Sequence, residues 1–430
     1  MSNNTLLSIY LIISIIKFAV SIDCSVKNEQ NIESKIKYKL FCNGYDKTMR
    51  PVNDHKTITS VRVKMMIKSY DYDDHYSSMT INTWMINRWN DEFLKWDSRE
   101  YENIKSIDVR SDLIWRPDFS LYNADISYGI GSCHDSYCLI ESNGNISCIE
   151  PCSFVSTCRS DYSKWPFDKQ NCSMVFGPWM NSQNELDYVN DETTVSKLAA
   201  AEHTQWKLVS AKVVKKVISL NSKDKKYTAS FPNLSYFFLI ERHSSMVFQV
   251  IKVAAVTFFI LNLTTLFIKT RKPERFIILI TNMFLHFQMI HQMSWITPHN
   301  GEQTPSVLTF FRNSLVITCI LMIETLIVEY LNASEVHPTE KLKNIINYIR
   351  RHQMINLILR SNSNNYDDGI VLVEDQMKVK TSVNNEEWTF VANLIDKICL
   401  ILLFLTYILM AFTLFPLSYI ITQNMIKEEA

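Results

Sequence analysis

The stretch CRSDYSKWPFDKQNC, Cys158 to Cys172, sets two cysteines thirteen residues apart around a Trp165-Pro166-Phe167-Asp168 sequence in an otherwise polar segment. Closing so short a loop covalently calls for an oxidising compartment. Residues 6–20, LLSIYLIISIIKFAV, supply the route to one: an apolar run ending in Ala19-Val20-Ser21 reads as a secretory signal peptide cleaved near Ser21 or Ile22. Eight cysteines then fall between residues 24 and 172 (Cys24, Cys42, Cys133, Cys138, Cys148, Cys152, Cys158, Cys172), an even number that fits disulfides. Spacing alone leaves their pairing open. A zinc site built from Cys133, Cys138, Cys148 and Cys152 is the lesser alternative, because a secreted cysteine-rich segment more often oxidises than chelates. Asn145, Asn171 and Asn233 head N-x-S triplets, the glycosylation acceptors of the same compartment.

The chain has 430 residues, a formal net charge of zero and a hydrophobic share of 47%, the averages of an ordinary soluble protein. Its apolar residues are nevertheless segregated. Four long apolar stretches, 246–268, 276–297, 307–331 and 392–423, are each long enough to cross a bilayer core of about 30 Å as a helix. The first carries Gln249 and Lys252, and the second carries Asn282, His286, Gln288, His291 and Gln292. Polar groups on a spanning helix are costly facing lipid, so the second stretch must turn them toward protein or water, which points to a pore or cavity. Lys269, Arg271, Lys272 and Arg275 lie between the first two stretches, and Lys341, Lys343, Arg350, Arg351 and Arg360 follow the third. The positive-inside rule makes both segments cytoplasmic. The signal peptide independently places residues 23–243 outside.

That outer segment reads as all-β. Val61, Val63, Met65 and Ile67 alternate with Arg62, Lys64 and Lys68, and Leu234, Tyr236, Phe238 and Ile240 alternate with Ser235 and Glu241, the period of half-buried strands. Several such runs separated by turn residues argue for a sandwich of antiparallel sheets. After the third stretch, Leu342, Ile345, Ile346 and Ile349 recur at helical spacing on an amphipathic cytoplasmic helix, followed by the polar SNSNNYDDG and a return to helical pattern. The expected fold is an all-β extracellular sandwich plus a four-helix transmembrane bundle with a cytoplasmic helical segment. Its divisions are 1–22 signal peptide, 23–243 sandwich, 244–331 three spanning helices, 332–391 cytoplasmic loop, 392–423 fourth span and 424–430 an extracellular tail. No Ser/His/Asp arrangement or His-rich metal motif stands out, and Gly129-Ile130-Gly131 is too short for a nucleotide loop, so an enzyme, a cofactor and a nucleic-acid partner are not expected.

With these residues in view, the chain resembles a subunit of the Cys-loop pentameric ligand-gated ion channels, and most closely a nicotinic acetylcholine receptor subunit of a divergent, non-α, arthropod-like kind. The resemblance rests on Cys158-x13-Cys172 with Trp165-Pro166-Phe167-Asp168 inside it, on WMINRWNDEFLKWD (Trp84 to Asp97), on IWRPDFSLYNAD (Ile114 to Asp125), on FGPW (Phe176 to Trp179) and on the order of the spans. It implies a Cys158–Cys172 disulfide whose Pro166-Phe167 tip faces the transmembrane helices. It also implies a heteropentamer in the plasma membrane, at a synapse, in contact with lipid, gated by an acetylcholine-like quaternary ammonium ligand and passing cations.

Carried over residue by residue, the family's aromatic ligand box maps on its principal side to Tyr122, Trp179, Tyr227 and Phe231, and on its complementary side to Trp84. An aromatic face attracts a cation that needs no hydrogen bonds. Trp89, Trp96 and Trp115 map to core positions. The adjacent Cys-Cys pair of acetylcholine-binding principal subunits is missing, and SKDKKYTASFPN puts lysines near its place, where they would repel a cation. Asp74 and Arg242 match a carboxylate and an arginine that pair at the domain junction in relatives and, with Pro166, Phe167 and Pro298, make up an expected coupling set. Glu274, Ile277, Thr281, Phe284, Gln288, His291 and Trp295, three or four residues apart on the second span, match the pore face, with Phe284 as an apolar gate and Glu274 as the carboxylate that favours cations. His286 and His291 on this helix are expected to serve packing or water contact rather than a metal. Two alternatives remain: an accessory subunit acting on assembly or conductance, and an anion-selective channel.

Overall fold

The computed structural model describes residues 24, 31–125, 131–189, 195–196, 203–221, 228–268, 272–298, 304–334, 338–351 and 376–414. The signal-peptide residues, Tyr227, the lysines preceding it and the 424–430 tail lie outside them. The chain divides into two compact units, one of residues 1–160 with 169–243 and one of residues 161–168 with 244–430.

The first unit opens with helix α1, Ile32–Phe41, whose N-cap Asn31 accepts the amide N–H of Glu33 at 3.0 Å. Twelve strands follow among the described residues: β1 Thr59–Asp73, β2 Ser78–Asn90, β3 Ser106–Arg110, β4 Ser120–Leu121, β5 Ser132–Cys133, β6 Tyr137–Glu141, β7 Asn145–Thr157, β8 Lys169–Gly177, β9 Leu186–Val189, β10 Val195–Ser196, β11 Trp206–Asn221 and β12 Thr228–Arg242. One sheet runs β10-β1-β2-β7-β6-β3, with β5 on β7 and β9 on β1; the other runs β11-β12-β8-β4. Val61, Val63, Met65 and Ile67 of β1 are buried, as their period of two requires. Each such side chain contributes about 1.5–3 kcal/mol on burial. Phe154 of β7 meets Phe176 of β8 at 4.8 Å, and Phe176 meets Tyr236 of β12 at 5.6 Å, so one core runs through both sheets. Trp89, Trp96 and Trp115 are buried in it.

Strand β12 corrects two expectations. Ser235, read as the polar half of an alternation, is buried together with Pro232, Asn233, Leu234 and Tyr236, so both faces of β12 are covered along this stretch. Asn233 is 2% exposed, so its side chain has no room for a glycan in the folded sandwich, whereas Asn145 and Asn171 are exposed. The cysteines pair as Cys24–Cys42, Cys133–Cys152, Cys138–Cys148 and Cys158–Cys172, which removes the four thiolates that a zinc site needed. Cys133–Cys152 ties β5 to β7, and Cys138–Cys148 ties β6 to β7.

The second unit contains α2 Ser245–Phe267, α3 Glu274–Ile296, α4 Ser306–Ala333, α5 Glu340–Arg351 and α6 Gln376–Leu414. Four stretches, α2, α3, α4 and Glu387–Phe412 of α6, are long and apolar enough to cross a membrane. Twenty-three residues in α2 or α3 extend about 35 Å at 1.5 Å per residue. Pro273 and Pro305 stand at the starts of α3 and α4, where a missing backbone N–H costs the helix nothing. Arg275 departs from its expectation as a loop charge: it lies in the first turn of α3 and is fully buried. Residues 161–168 join this unit through Tyr162 and Trp165, which are buried in the apolar cluster of Ile251, Phe258, Leu279, Phe310 and Phe311.

Candidate functional site

The motif IWRPDFSLYNAD builds one aromatic corner around Asp118. Its carboxylate accepts the amide N–H of Trp179 at 2.6 Å and of Met180 at 3.3 Å, and the Ser120 hydroxyl at 3.1 Å. Tyr188 donates its hydroxyl to the Asp118 carbonyl. The FGPW segment is thereby held beside Tyr122, whose hydroxyl donates to the Pro178 carbonyl at 2.6 Å and whose ring lies 5.2 Å from that of Trp179. Burial, with the Asp118 charge adding to it, pushes the Tyr122 phenol above its ordinary range, so it stays a neutral donor. Trp179 is 63% exposed and offers an open ring face. Phe231 lies on β12 in the same sheet, opposite Ile218, and makes no ring contact with Tyr122 or Trp179 among the described residues. Trp84 belongs to the other sheet, on β2, and is 39% exposed. Of the residues expected to form a ligand box, Tyr122 and Trp179 are thus brought together, Phe231 and Trp84 are apart from them, and Tyr227 falls outside the described residues. Asp118, the organiser of this corner, was missed as a site residue although it stands inside the quoted motif.

Asp74 and Arg242 form an ion pair at 2.9 Å, and the Arg242 guanidinium also lies 4.2 Å over the ring of the fully buried Trp206. Stacking on Trp206 orients the guanidinium toward Asp74, which lowers the side-chain entropy that an exposed pair loses on forming. Within the second unit, Phe167 contacts Phe248 of α2 at 5.2 Å, and the Ser306 amide at the start of α4 donates to the Ser163 carbonyl at 3.0 Å. Pro166 is buried, and Pro298 follows the end of α3.

Helix α3 divides into two faces. Glu274, Ile277, Thr281, Phe284, Gln288, His291 and Trp295 are all exposed in the single chain, while Arg275, Leu279, Asn282, His286, Met289 and Met293 are buried. The polar residues of this span therefore separate into two groups with different surroundings. On the buried side, His286 stacks on Phe258 at 3.9 Å, its Nδ1 meets the Asn282 carbonyl at 2.8 Å and its Nε2 meets the Ser314 hydroxyl at 2.8 Å. Asn282 Nδ2 donates to Asn262 Oδ1 at 2.7 Å, Asn262 Nδ2 donates to the Tyr407 hydroxyl at 2.9 Å, and Tyr407 and Ser314 share a bond at 2.6 Å. One hydrogen-bonded chain thus joins all four spanning helices and pairs polar groups that lipid could not, leaving Asn282 Oδ1 without a partner among the described residues. It occupies both ring nitrogens of His286. Among the described residues, no cluster of three or more His, Cys, Asp or Glu could hold a metal ion.

A second polar cluster lies at the other end of α3. The Arg275 guanidinium meets Glu324 Oε2 of α4 at 2.5 Å, Asp396 Oδ1 of α6 at 3.1 Å and the Thr325 hydroxyl at 2.9 Å. Sequence reasoning missed Glu324 and Asp396. The signal was available: a carboxylate inside an apolar spanning stretch is expensive unless something pairs with it.

The family model of the neurotransmitter-gated ion-channel ligand binding domain matches residues 33–244. The neuronal acetylcholine receptor subunit alpha-4 of Gallus gallus is 36% identical over 222 residues, which is 50% of this chain and 34% of that protein. The alpha-4 subunit of Homo sapiens is 31% identical over 309 residues, 69% of this chain and 48% of that protein. The alpha-2 subunit of Mus musculus is 30% identical over 297 residues, 66% of this chain and 56% of that protein. The matches thus span about a third to a half of these relatives' own length. Two sheets closed by the Cys158–Cys172 disulfide, followed by four helices long enough to span a membrane, complete the same pattern. By sequence and by fold, the chain belongs to the Cys-loop family of neurotransmitter-gated ion-channel subunits, with nicotinic acetylcholine receptor subunits as its relatives.

Proposed function

We propose that this chain is one subunit of a pentameric, nicotinic-type, neurotransmitter-gated cation channel in a synaptic plasma membrane. The observation that carries this reading is the two-faced helix α3, with seven residues from Glu274 to Trp295 on its exposed side and a buried polar side that anchors it to its own bundle. Five copies of such a face around an axis would place Glu274 at the cytoplasmic mouth, where a ring of carboxylates excludes anions, and Phe284 midway, where an apolar ring closes a pore by dewetting. Residues 23–243 are then extracellular and 332–391 cytoplasmic, with the end of the fourth span returning outside.

In this reading the subunit lends Trp84 as the complementary face of an acetylcholine site to a neighbouring α-type subunit. The basic run before Phe231 argues against its use as a principal face despite the Tyr122–Trp179 corner. Asp74, Arg242, Pro166, Phe167 and Pro298 serve as its coupling set, and Asn145 and Asn171 as glycan acceptors. Trp84→Ala tests the ligand role. A cation on an aromatic face is worth about 0.5–2 kcal/mol, so the acetylcholine EC50 of a co-expressed receptor rises by about two- to thirtyfold at unchanged surface expression. No shift would favour the second reading, an accessory subunit acting on assembly or conductance, for which the missing Cys-Cys pair speaks.

A further inference from the structure

The ring of Trp84 already carries a cation. Lys68 Nζ of β1 lies 4.1 Å from its centroid. The strand register explains how it gets there. Met66 pairs with Trp84 and Ile67 with Thr83, but the next pair is Ser69 with Asn82, so a β-bulge sets Lys68 and Ser69 together opposite Asn82 alone. A bulge of this kind re-aims a side chain while leaving the rest of the sheet in register. Ser69 is tied down by the Asn82 side-chain amide, which donates to its hydroxyl at 3.0 Å. Across the sheet Trp84 sits between Met66 of β1 and Pro151 of β7, neither of which offers a charge. Among the described residues, no carboxylate lies within ion-pair distance of Lys68, and its ammonium rests on the indole face.

We propose that Lys68 is a specificity-determining residue of the complementary face: its ammonium is the resident cation on Trp84, and a quaternary ammonium ligand binds there only by displacing it. This rests on the assignment of Trp84 to a complementary face. A ring face has room for one cation at van der Waals distance, and two cations sharing it would repel, so Lys68 and the ligand compete for the same surface. The consequence is a face of lowered sensitivity to ammonium ligands, set by a residue that contributes nothing to the ligand itself.

The test is a double-mutant cycle in receptors formed with an acetylcholine-binding α subunit, read as acetylcholine EC50 together with surface biotinylation. Lys68→Gln keeps a long polar side chain without the charge and is expected to lower EC50 by about threefold or more, while Lys68→Arg leaves it near wild type. In a Trp84→Ala background, Lys68→Gln is expected to change nothing, which a general effect on surface charge or folding would not reproduce. If Trp84→Ala raises EC50 but Lys68→Gln leaves it unchanged, the Lys68 proposal is wrong and the complementary-face reading survives. If neither substitution moves EC50, the reading of Trp84 is wrong and the Lys68 proposal goes with it.

Discussion

Arg275→Ala is expected to remove most folded subunit from the cell surface, while Glu274→Gln, one residue earlier, is expected to leave surface expression unchanged. The two side chains share a helical turn and face opposite ways. Glu274 is exposed, whereas Arg275 is fully buried and bonded to Glu324, Asp396 and Thr325 on two other helices. Removing the guanidinium strands two carboxylates in a low-dielectric interior, and breaking a buried pair in this way costs about 3–5 kcal/mol. That is a large share of a domain's whole stability. Surface biotinylation of the two variants side by side reads the difference. Recovery in the triple variant Arg275→Ala, Glu324→Gln, Asp396→Asn would confirm that the loss comes from stranded charge, because the neutral replacements need no counterion.

Trp165→Ala is expected to cost about 3–5 kcal/mol, the usual range for emptying a buried aromatic site. Trp165 is 2% exposed, packed with Tyr162 into the apolar cluster of the helical unit. Phe167 is only partly buried, and its ring contact with Phe248 is expected to make Phe167→Ala much milder for stability. Thermal unfolding of the detergent-solubilised protein distinguishes the two. A destabilisation by Phe167→Ala equal to that by Trp165→Ala would show that the loop is held by its tip rather than by its buried aromatic pair.

The contrast between these residues shows what was legible before the fold was known. Local period was legible: Val61, Val63, Met65 and Ile67 announced β1, three apolar runs announced the first three spans to within a few residues, and the fourth run overlaps its span over residues 392–412. The Cys158–Cys172 loop was legible through resemblance. Partners distant in sequence were not. Arg275 meets a carboxylate 49 residues away and another 121 residues away, and nothing in a local pattern distinguishes it from Lys269, Arg271 and Lys272 beside it. The pairing of Cys133, Cys138, Cys148 and Cys152 depends on strand register, because four cysteines allow three connectivities. Ser235 read as the polar half of an alternating strand and Asn233 as a glycan acceptor, yet both are buried in β12, where tertiary cover overrides alternation. Lys68 read as one more outward charge of β1. Only the bulge between Ile67 and Ser69 puts its ammonium on Trp84.

The most direct test of the pore assignment is two-electrode voltage clamp on oocytes expressing this subunit alone and with acetylcholine-binding α subunits, with reversal potentials taken under sodium and under chloride substitution, for wild type and for Glu274→Lys. The expected result is acetylcholine-evoked current on co-expression, a reversal potential that follows sodium, and a shift toward chloride dependence in Glu274→Lys, because the charge at the mouth selects the ion. A wild-type reversal potential that follows chloride, or currents and surface expression that co-expression leaves unchanged, would contradict the claim that helix α3 lines a cation pore.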